Sequence, residues 1–414
     1  MLALRLARGA HPLVQLRRLS VAAASAGTGF LLLCTLGYAM GHPEASAGSV
    51  LRLVWCLAPI AATVYFAVAV ARTDPGTRPR SGLAAIGLGP GRLMAYSAVT
   101  TALSTTLGSL LALVVFLYLR GDLTGIPFGG RSAEFLAVDW SLPLPAALTL
   151  LALVPLAASL AGALALRPKE GRPRRAGRRK DTPQAGSGAD DTLDGRGADL
   201  PDGIPVPDRP AAPPPAPGGL PWGVAAFAGG LAVETYASRS GPAPGPHLPG
   251  GLVSGPAGVP AGWALTALGL ALAAPTIAHL CGWLLQAVRP GAVRLLAGRG
   301  LQEEARRIGR PLGVVCAVAS ATYAAAAYAG AGASVGPLTT LGAVLVAGCT
   351  LATLATAAVE AKQARADTVA ALVRLGAPAT ALRTAALLRV GALVAVFVPL
   401  TWAVAELAAM PLAG

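Results

Sequence analysis

Apolar residues run along this chain in blocks too long for a strand or a surface helix. Nine blocks approach the roughly 20 residues that a helix needs to cross a bilayer. They are Leu19–Met40, Val50–Ala71, Leu93–Leu119, Leu142–Leu166, Leu220–Ala237, Gly262–Val288, Pro311–Gly330, Leu338–Val359 and Ala385–Ala409. Arginine-rich stretches punctuate them. Arg5, Arg8, Arg17 and Arg18 precede the first block, and Arg72, Arg78, Arg80 and Arg92 follow the second. Residues 167–180 are basic after the fourth, Arg289–Arg310 lies between the sixth and seventh, and Lys362, Arg365, Arg374 and Arg383 follow the eighth.

The fifth block, Leu220–Ala237, is short and carries Glu234, so a surface or re-entrant helix is its plain alternative. Cytoplasmic loops carry an excess of Lys and Arg. If the fifth block crosses, all five basic groups face the cytoplasm; if it does not, the last two face outside. The expectation is therefore an all-α polytopic membrane protein of about nine transmembrane helices with a cytoplasmic N-terminus. The Arg-rich N-terminus resembles a transit peptide in composition, but the long first span without a small-residue cleavage site reads as a retained helix.

Composition agrees with this pattern. Hydrophobic residues make up 54% of the 414 and charged residues 13%, against about 25% charged in soluble domains. Mean hydropathy is +0.61. A soluble enzyme and a disordered regulator are excluded. The net charge of +14 sits at the ends of apolar blocks, not on one soluble face, so nucleic-acid binding is not expected. The five cysteines all lie inside apolar runs, where a thiol acts as a small hydrophobe, and imply no disulfide framework. Arginine greatly outnumbers lysine, and with the many Ala, Gly and Pro this points to a GC-rich bacterial genome, hence a bacterial plasma membrane.

Gly171–Gly219 turns from basic to acidic and ends in a Pro-rich run, the composition of a disordered tether. An offset of 289 positions, carrying Arg5 onto Arg294, lays the chain on itself. It matches Arg17-Arg18 with Arg306-Arg307, Val70 with Val359, Leu83 with Leu372 and Ile86-Gly87 with Leu375-Gly376, and it superposes three spans. The expected organisation is a first half at 1–166, a linker at 167–219, two connecting spans at 220–288 and a second half at 289–414, the halves being homologous and parallel. Parallel repeats are a known transporter architecture.

The chemistry-bearing stretch runs from Glu360 to Pro378. Glu360, Lys362, Arg365, Asp367 and Arg374 make it charged, while Val369, Leu372, Val373 and Leu375 give it an apolar side. Gly376 and Pro378 end it. A simple interfacial helix with snorkelling arginines is one reading; a docking surface for a cytoplasmic partner is the other.

Glu360 at a span end, the charged helix, and Arg374-Leu375-Gly376-Ala377 before a last long span together resemble the C-terminal domain of FtsX-like (MacB-type) permeases. A weaker copy stands in the first half, where Ala71 replaces the Glu, Arg72 follows, and Ile86-Gly87-Leu88-Gly89-Pro90 forms the turn. The resemblance covers about half to two-thirds of the chain. It implies the membrane subunit of an ABC transporter driven by a separate ATP-binding subunit. The docking positions it implies are Glu360, Lys362, Arg365, Asp367, Arg374, Leu375 and Gly376, with Arg72, Arg78, Arg80 and Gly87 in the weaker loop. Unlike MacB-type members, the chain has only Gly41–Ser49 after its first span, so no large extracytoplasmic domain is expected.

No Lys is followed by Ser or Thr in a Gly-x-x-x-x-Gly-Lys context, so the chain has no Walker A site and expects its ATPase from outside. His11, His42, His247 and His279 are scattered, and no cofactor or metal is expected. Glu234 and Glu406 are expected to reach the outer interface. A hydrophobic or amphipathic substrate, exported from the bilayer, fits the small outer loops; membrane lipids are partners, and a homodimer stays open. The alternative is a polytopic membrane enzyme or secondary transporter working without an ATPase.

Overall fold

The computed structural model describes residues 12–44, 46–73, 90–122, 136, 140–165, 167, 217–239, 258–287, 291–330 and 336–409. Their regular structure is entirely α-helical. Ten helices follow in chain order: α1 (Pro12–Gly41), α2 (Ser46–Trp55), α3 (Leu57–Thr73), α4 (Pro90–Arg120), α5 (Leu144–Ala165), α6 (Leu220–Arg239), α7 (Gly258–Ala287), α8 (Ala292–Gly330), α9 (Pro337–Arg374) and α10 (Ala379–Ala409). Seven spans are long and apolar enough to cross a membrane: α1, α2 with α3, α4, α5, α7, α9 and α10. The protein is a multi-pass helical membrane protein in this sense.

The apolar surface is turned outward. On α10, Leu387, Val390, Val394, Val398 and Trp402 are all exposed and fall on one helical face. On α4 the exposed set includes Leu103, Leu107, Leu110, Leu111 and Val114. Water would not tolerate such stripes, whereas lipid tails solvate them as well as a protein core would.

Two helices run beyond a bilayer's thickness. Those of 39 and 38 residues, α8 and α9, extend for nearly 60 Å at about 1.5 Å per residue, against a hydrocarbon core of roughly 30 Å. The sequence divides α8 into a basic segment and a span, and α9 into a span and a loop helix. Each is instead one unbroken rod. Conversely, the block Val50–Ala71 is divided at Cys56 into α2 and α3.

Buried contacts fix the directions of the helices. Ala22 and Ser25 of α1 meet Gly108 of α4, and Gly29 meets Ala112, so α1 and α4 run parallel. Helix α6 lies antiparallel to α7 along its whole length, from Gly223 against Ala273 through Gly230 against Thr266 to Ala237 against Gly258. Helices α7 and α8 are likewise antiparallel, with Gly282 on Gly298 and Gly309 on Pro275. Helix α9 packs on α3 with Thr63 Oγ1 3.9 Å from Cys349 Sγ. Trp55, at the end of α2, lies against Gly342. The α2–α3 pair and α9 therefore run the same way.

The glue between helices is small residues and hydroxyls. Ser25 Oγ donates to the Thr105 carbonyl at 2.7 Å, Thr28 and Thr63 hydroxyls bond at 2.8 Å, and Ser320 Oγ donates to the Thr401 carbonyl at 3.0 Å. Thr28 and Ser320 also reach carbonyls of their own helices, Ala24 at 3.0 Å and Cys316 at 2.8 Å, so these hydroxyls are shared between the helix and its neighbour. The cores they border are small: Leu33, Ala112, Phe116 and Leu151 between α1, α4 and α5, and Leu270, Ala274, Cys316 and Phe397 between α7, α8 and α10. All five cysteines are buried and free.

Of the linker expected at 167–219, residues 168–216 lie outside the described residues, as do most of the expected outer loops. Among the glycines, Gly108 makes the sharpest test. A Cβ there would collide with the Ala22 carbonyl, whereas one on Gly348 meets nothing within 4 Å. Gly108→Ala should lower stability in mixed micelles by about 1–3 kcal/mol through forced separation of α1 and α4. Gly348→Ala should leave denaturant-induced unfolding unchanged or slightly harder.

Candidate functional site

The two long rods and the start of α10 come together at the chain's basic end. Helix α8 brings its residues 292–310 and α9 its residues beyond Glu360. Their junction is held by an ion pair in which Arg365 Nε lies 2.5 Å from Glu304 Oε1, the carboxylate being largely buried. The same Nε is 3.1 Å from the Ala361 carbonyl. From α10, Arg389 Nη2 donates to the Leu296 carbonyl of α8 at 2.9 Å. Gly300 is what admits that guanidinium: a Cβ there would overlap Arg389.

Burial pushes the Glu304 carboxyl pKa up, and the Arg365 and Arg389 guanidiniums pull it the other way without cancelling the effect. The desolvation of this carboxylate thus outweighs its pairing, as expected for a charge taken out of water between helices. The pair's value is positional: it locks the outer end of α9 against α8.

Beyond Arg365 the α9 rod continues to Arg374 and ends abruptly. Gly376 takes φ +88, the left-handed conformation that a residue with Cβ adopts at a cost. Its N–H donates to the Val373 carbonyl at 3.0 Å and that of Ala377 to the Leu372 carbonyl at 3.0 Å, the paired bonds of a Schellman cap. Pro378 follows, and α10 begins at Ala379. The cap leaves an apolar tip in the open: Leu375 is 84% exposed, with Val373 and Val369 beside it.

The residues that the sequence nominates divide accordingly. Lys362, Arg374, Leu375 and Gly376 are exposed, Glu360 is half-buried, and all of them stand on the outer end of α9 or its cap. Arg365 is turned inward to Glu304. Arg72 is exposed in the last turn of α3. The side chain of Asp367, together with Arg78, Arg80 and Gly87, lies outside the described residues.

Sequence reasoning passed over Glu304 and Arg389. Both left a signal. Glu303-Glu304 is an acidic pair inside a segment otherwise marked by arginines, and Arg389 is a cation inside the block Ala385–Ala409. Glu234, five residues from the end of α6, is fully buried, and Trp263 Nε1 donates to its Oε1 at 2.8 Å. The α6–α7 pair closes so tightly at Gly230 and Gly262 that the side chain is enclosed between the helices. Glu406 accepts from the Tyr323 hydroxyl at 3.0 Å. Among the described residues no three His, Cys, Asp or Glu side chains gather as a metal site.

Comparison with known protein families, with curated proteins and with solved structures finds no match to this chain.

A double-mutant cycle on Glu304→Gln and Arg365→Gln should return a coupling of about 1–3 kcal/mol in micellar unfolding, the range for charged hydrogen-bonded partners. A coupling near zero would mean that the ion pair does not hold α9 to α8.

Proposed function

We propose that this chain is the membrane-spanning permease subunit of an ABC transporter, of the FtsX-like kind, driven by a separate ATP-binding subunit. The observation that carries the proposal is the outer end of α9. A coupling element must be stiff, must present a face to its partner, and must pass movement into the membrane. Helix α9 continues from its span to Arg374 without a break, is braced by Glu304, and ends in an exposed tip formed by Val373, Arg374 and Leu375.

The proposed topology is nine crossings in two homologous parallel halves, with the basic segments and both loops cytoplasmic. Helix directions support it. Helix α3 runs parallel to α9, which requires an odd number of crossings between them. Helices α4, α5 and α7 alone are three and meet this condition too; α6 and α8, each packed antiparallel on α7, are the further two that make five. The α6 length of 20 residues corresponds to about 30 Å. The repeat supports it as well. The offset of 289 carries Cys56 onto Leu345, and these two residues share one buried cluster. Thr63 and Cys349, in contact, are three positions from being equivalents in the same sense. The α3–α9 contact thus falls near equivalent positions of the two proposed copies, which supports pairing about an axis along the membrane normal.

In this reading the half at 289–414 carries the stronger lever and the half at 1–166 the weaker. The substrate is a hydrophobic or amphipathic molecule taken from the bilayer and exported. The alternative, a secondary transporter or membrane enzyme, draws on one observation, the enclosed Glu234 carboxyl; its bond to Trp263 gives it a packing role instead.

Because Arg365 is committed to Glu304, reversing it would break the brace along with any docking. The informative variant reverses Glu360, Lys362 and Arg374 only. Where a neighbouring reading frame encodes an ATP-binding cassette protein, the co-expressed wild type should copurify with it, and the absence of such a protein would count against the proposal. The triple reversal should weaken the association by roughly tenfold, about 1.4 kcal/mol, and the Lys362 and Arg374 reversals alone should leave thermal stability unchanged, since solvated charges contribute little to folding. Unchanged copurification would make the α9 end a plain interfacial helix.

A further inference from the structure

A groove lies beside the brace, between the start of α8, the outer part of α9 and the start of α10. Its volume is about 590 Å³, within the roughly 300–1,000 Å³ of sites that hold small molecules. Leu295, Leu296, Val369, Leu372, Leu382 and Ala386 give it apolar walls. Its charged lining is Arg299, Arg365 and Arg389 against Glu303, and counting Glu304, which is paired with Arg365 through Nε, arginine still exceeds acid by three to two.

We propose that this groove binds an anionic phospholipid, its phosphate among Arg299, Arg365 and Arg389 and an acyl chain laid along α10. Four observations select that occupant. The excess of arginine matches a phosphate, which guanidinium binds bidentately. Arg389 Nε is buried and has no hydrogen-bond partner, so one donor of the cluster is left for an incoming acceptor. The apolar walls call for a ligand with a hydrocarbon part, which a free phosphate or a nucleotide lacks. The groove also opens onto lipid: its α10 wall continues into the exposed stripe Leu387, Val390, Val394 and Val398.

The depth is right as well. Arg389 lies ten residues into α10, about 15 Å from its start, which leaves some 20 residues for the hydrocarbon core beyond it. That places the guanidinium at headgroup level on the basic side, where pockets between helices take anionic lipid headgroups. A lipid seated there would touch α8, α9 and α10 at once. It would add to the Glu304–Arg365 brace and make the stiffness of the α9 end depend on the lipid around it.

Native mass spectrometry of the full chain in neutral detergent tests the proposal, with phosphatidylglycerol and phosphatidylcholine of identical acyl chains as probes. Wild type should hold phosphatidylglycerol at least roughly tenfold more tightly. Arg299→Glu changes an exposed side chain and should keep the wild-type melting temperature while erasing the preference. Ala386→Trp, which fills the groove, should lower phosphatidylglycerol binding without touching a charge. The proposal is overturned if the two lipids bind alike. Preference surviving in both variants overturns it too. So does competition by millimolar inorganic phosphate that is as effective as the lipid, which would mark a phosphate site. Occlusion of the groove by the copurified ATP-binding protein, with lipid displaced, would assign the surface to a protein partner instead.

Discussion

Inside a bilayer the hydrophobic effect cannot hold one helix to another, because lipid tails are as apolar as any side chain. The packing of this chain follows from that constraint. Helices approach where side chains vanish: Gly108 on Ala22, Gly223 on Ala273, Gly230 on Gly262 and Gly313 on Ala274. Close approach then brings hydroxyls within reach of carbonyls across helices, as with Ser25 to Thr105 and Ser320 to Thr401. Large apolar residues are left for the outside, where Leu107, Val394 and Trp402 stand exposed. Pro155, Pro275, Pro311 and Pro399 sit inside helices, and of these Pro275 and Pro311 are buried, Pro275 against Gly309 of α8.

Where the chain leaves the membrane, the chemistry changes. Helices α8 and α9 carry an ion pair between buried alanines, Ala305 and Ala361 among them. Glu304 sits between Arg365 and Arg389 at a depth where desolvation already raises its pKa. A paired charge at this height fixes one geometry of the protruding rods, because losing either partner would strand the other. Stiffness at the α9 tip and a groove rich in arginine are two consequences of one junction.

Much of the fold was legible in the sequence, since apolar blocks and arginine clusters report directly on bilayer thickness. The continuity of α8 and α9 was not. A helix passing from lipid into water keeps its period while its composition changes, so the charged parts of both read as separate segments. The inward turn of Arg365 was hidden as well, because its partner Glu304 lies 61 positions earlier and only packing brings the two together. Spacings such as Gly108 to Ala112 and Gly269 to Ala273 carry little weight in a chain so rich in Ala and Gly. Their meaning emerged from the carbonyls and small residues they meet. The enclosure of Glu234 was hidden for the same reason, because its partner Trp263 lies on α7.

The central claim is that α6 crosses, so that both three-helix units point the same way and both loops face the cytoplasm. Reporter fusions at Ala185, Gly245 and Gln363 test it directly. The account predicts cytoplasmic signals at Ala185 and Gln363 and an extracytoplasmic signal at Gly245. Signals from Ala185 and Gly245 on one side, with Gln363 outside, would contradict the parallel arrangement and leave the α9 tip beyond the reach of any cytoplasmic ATPase.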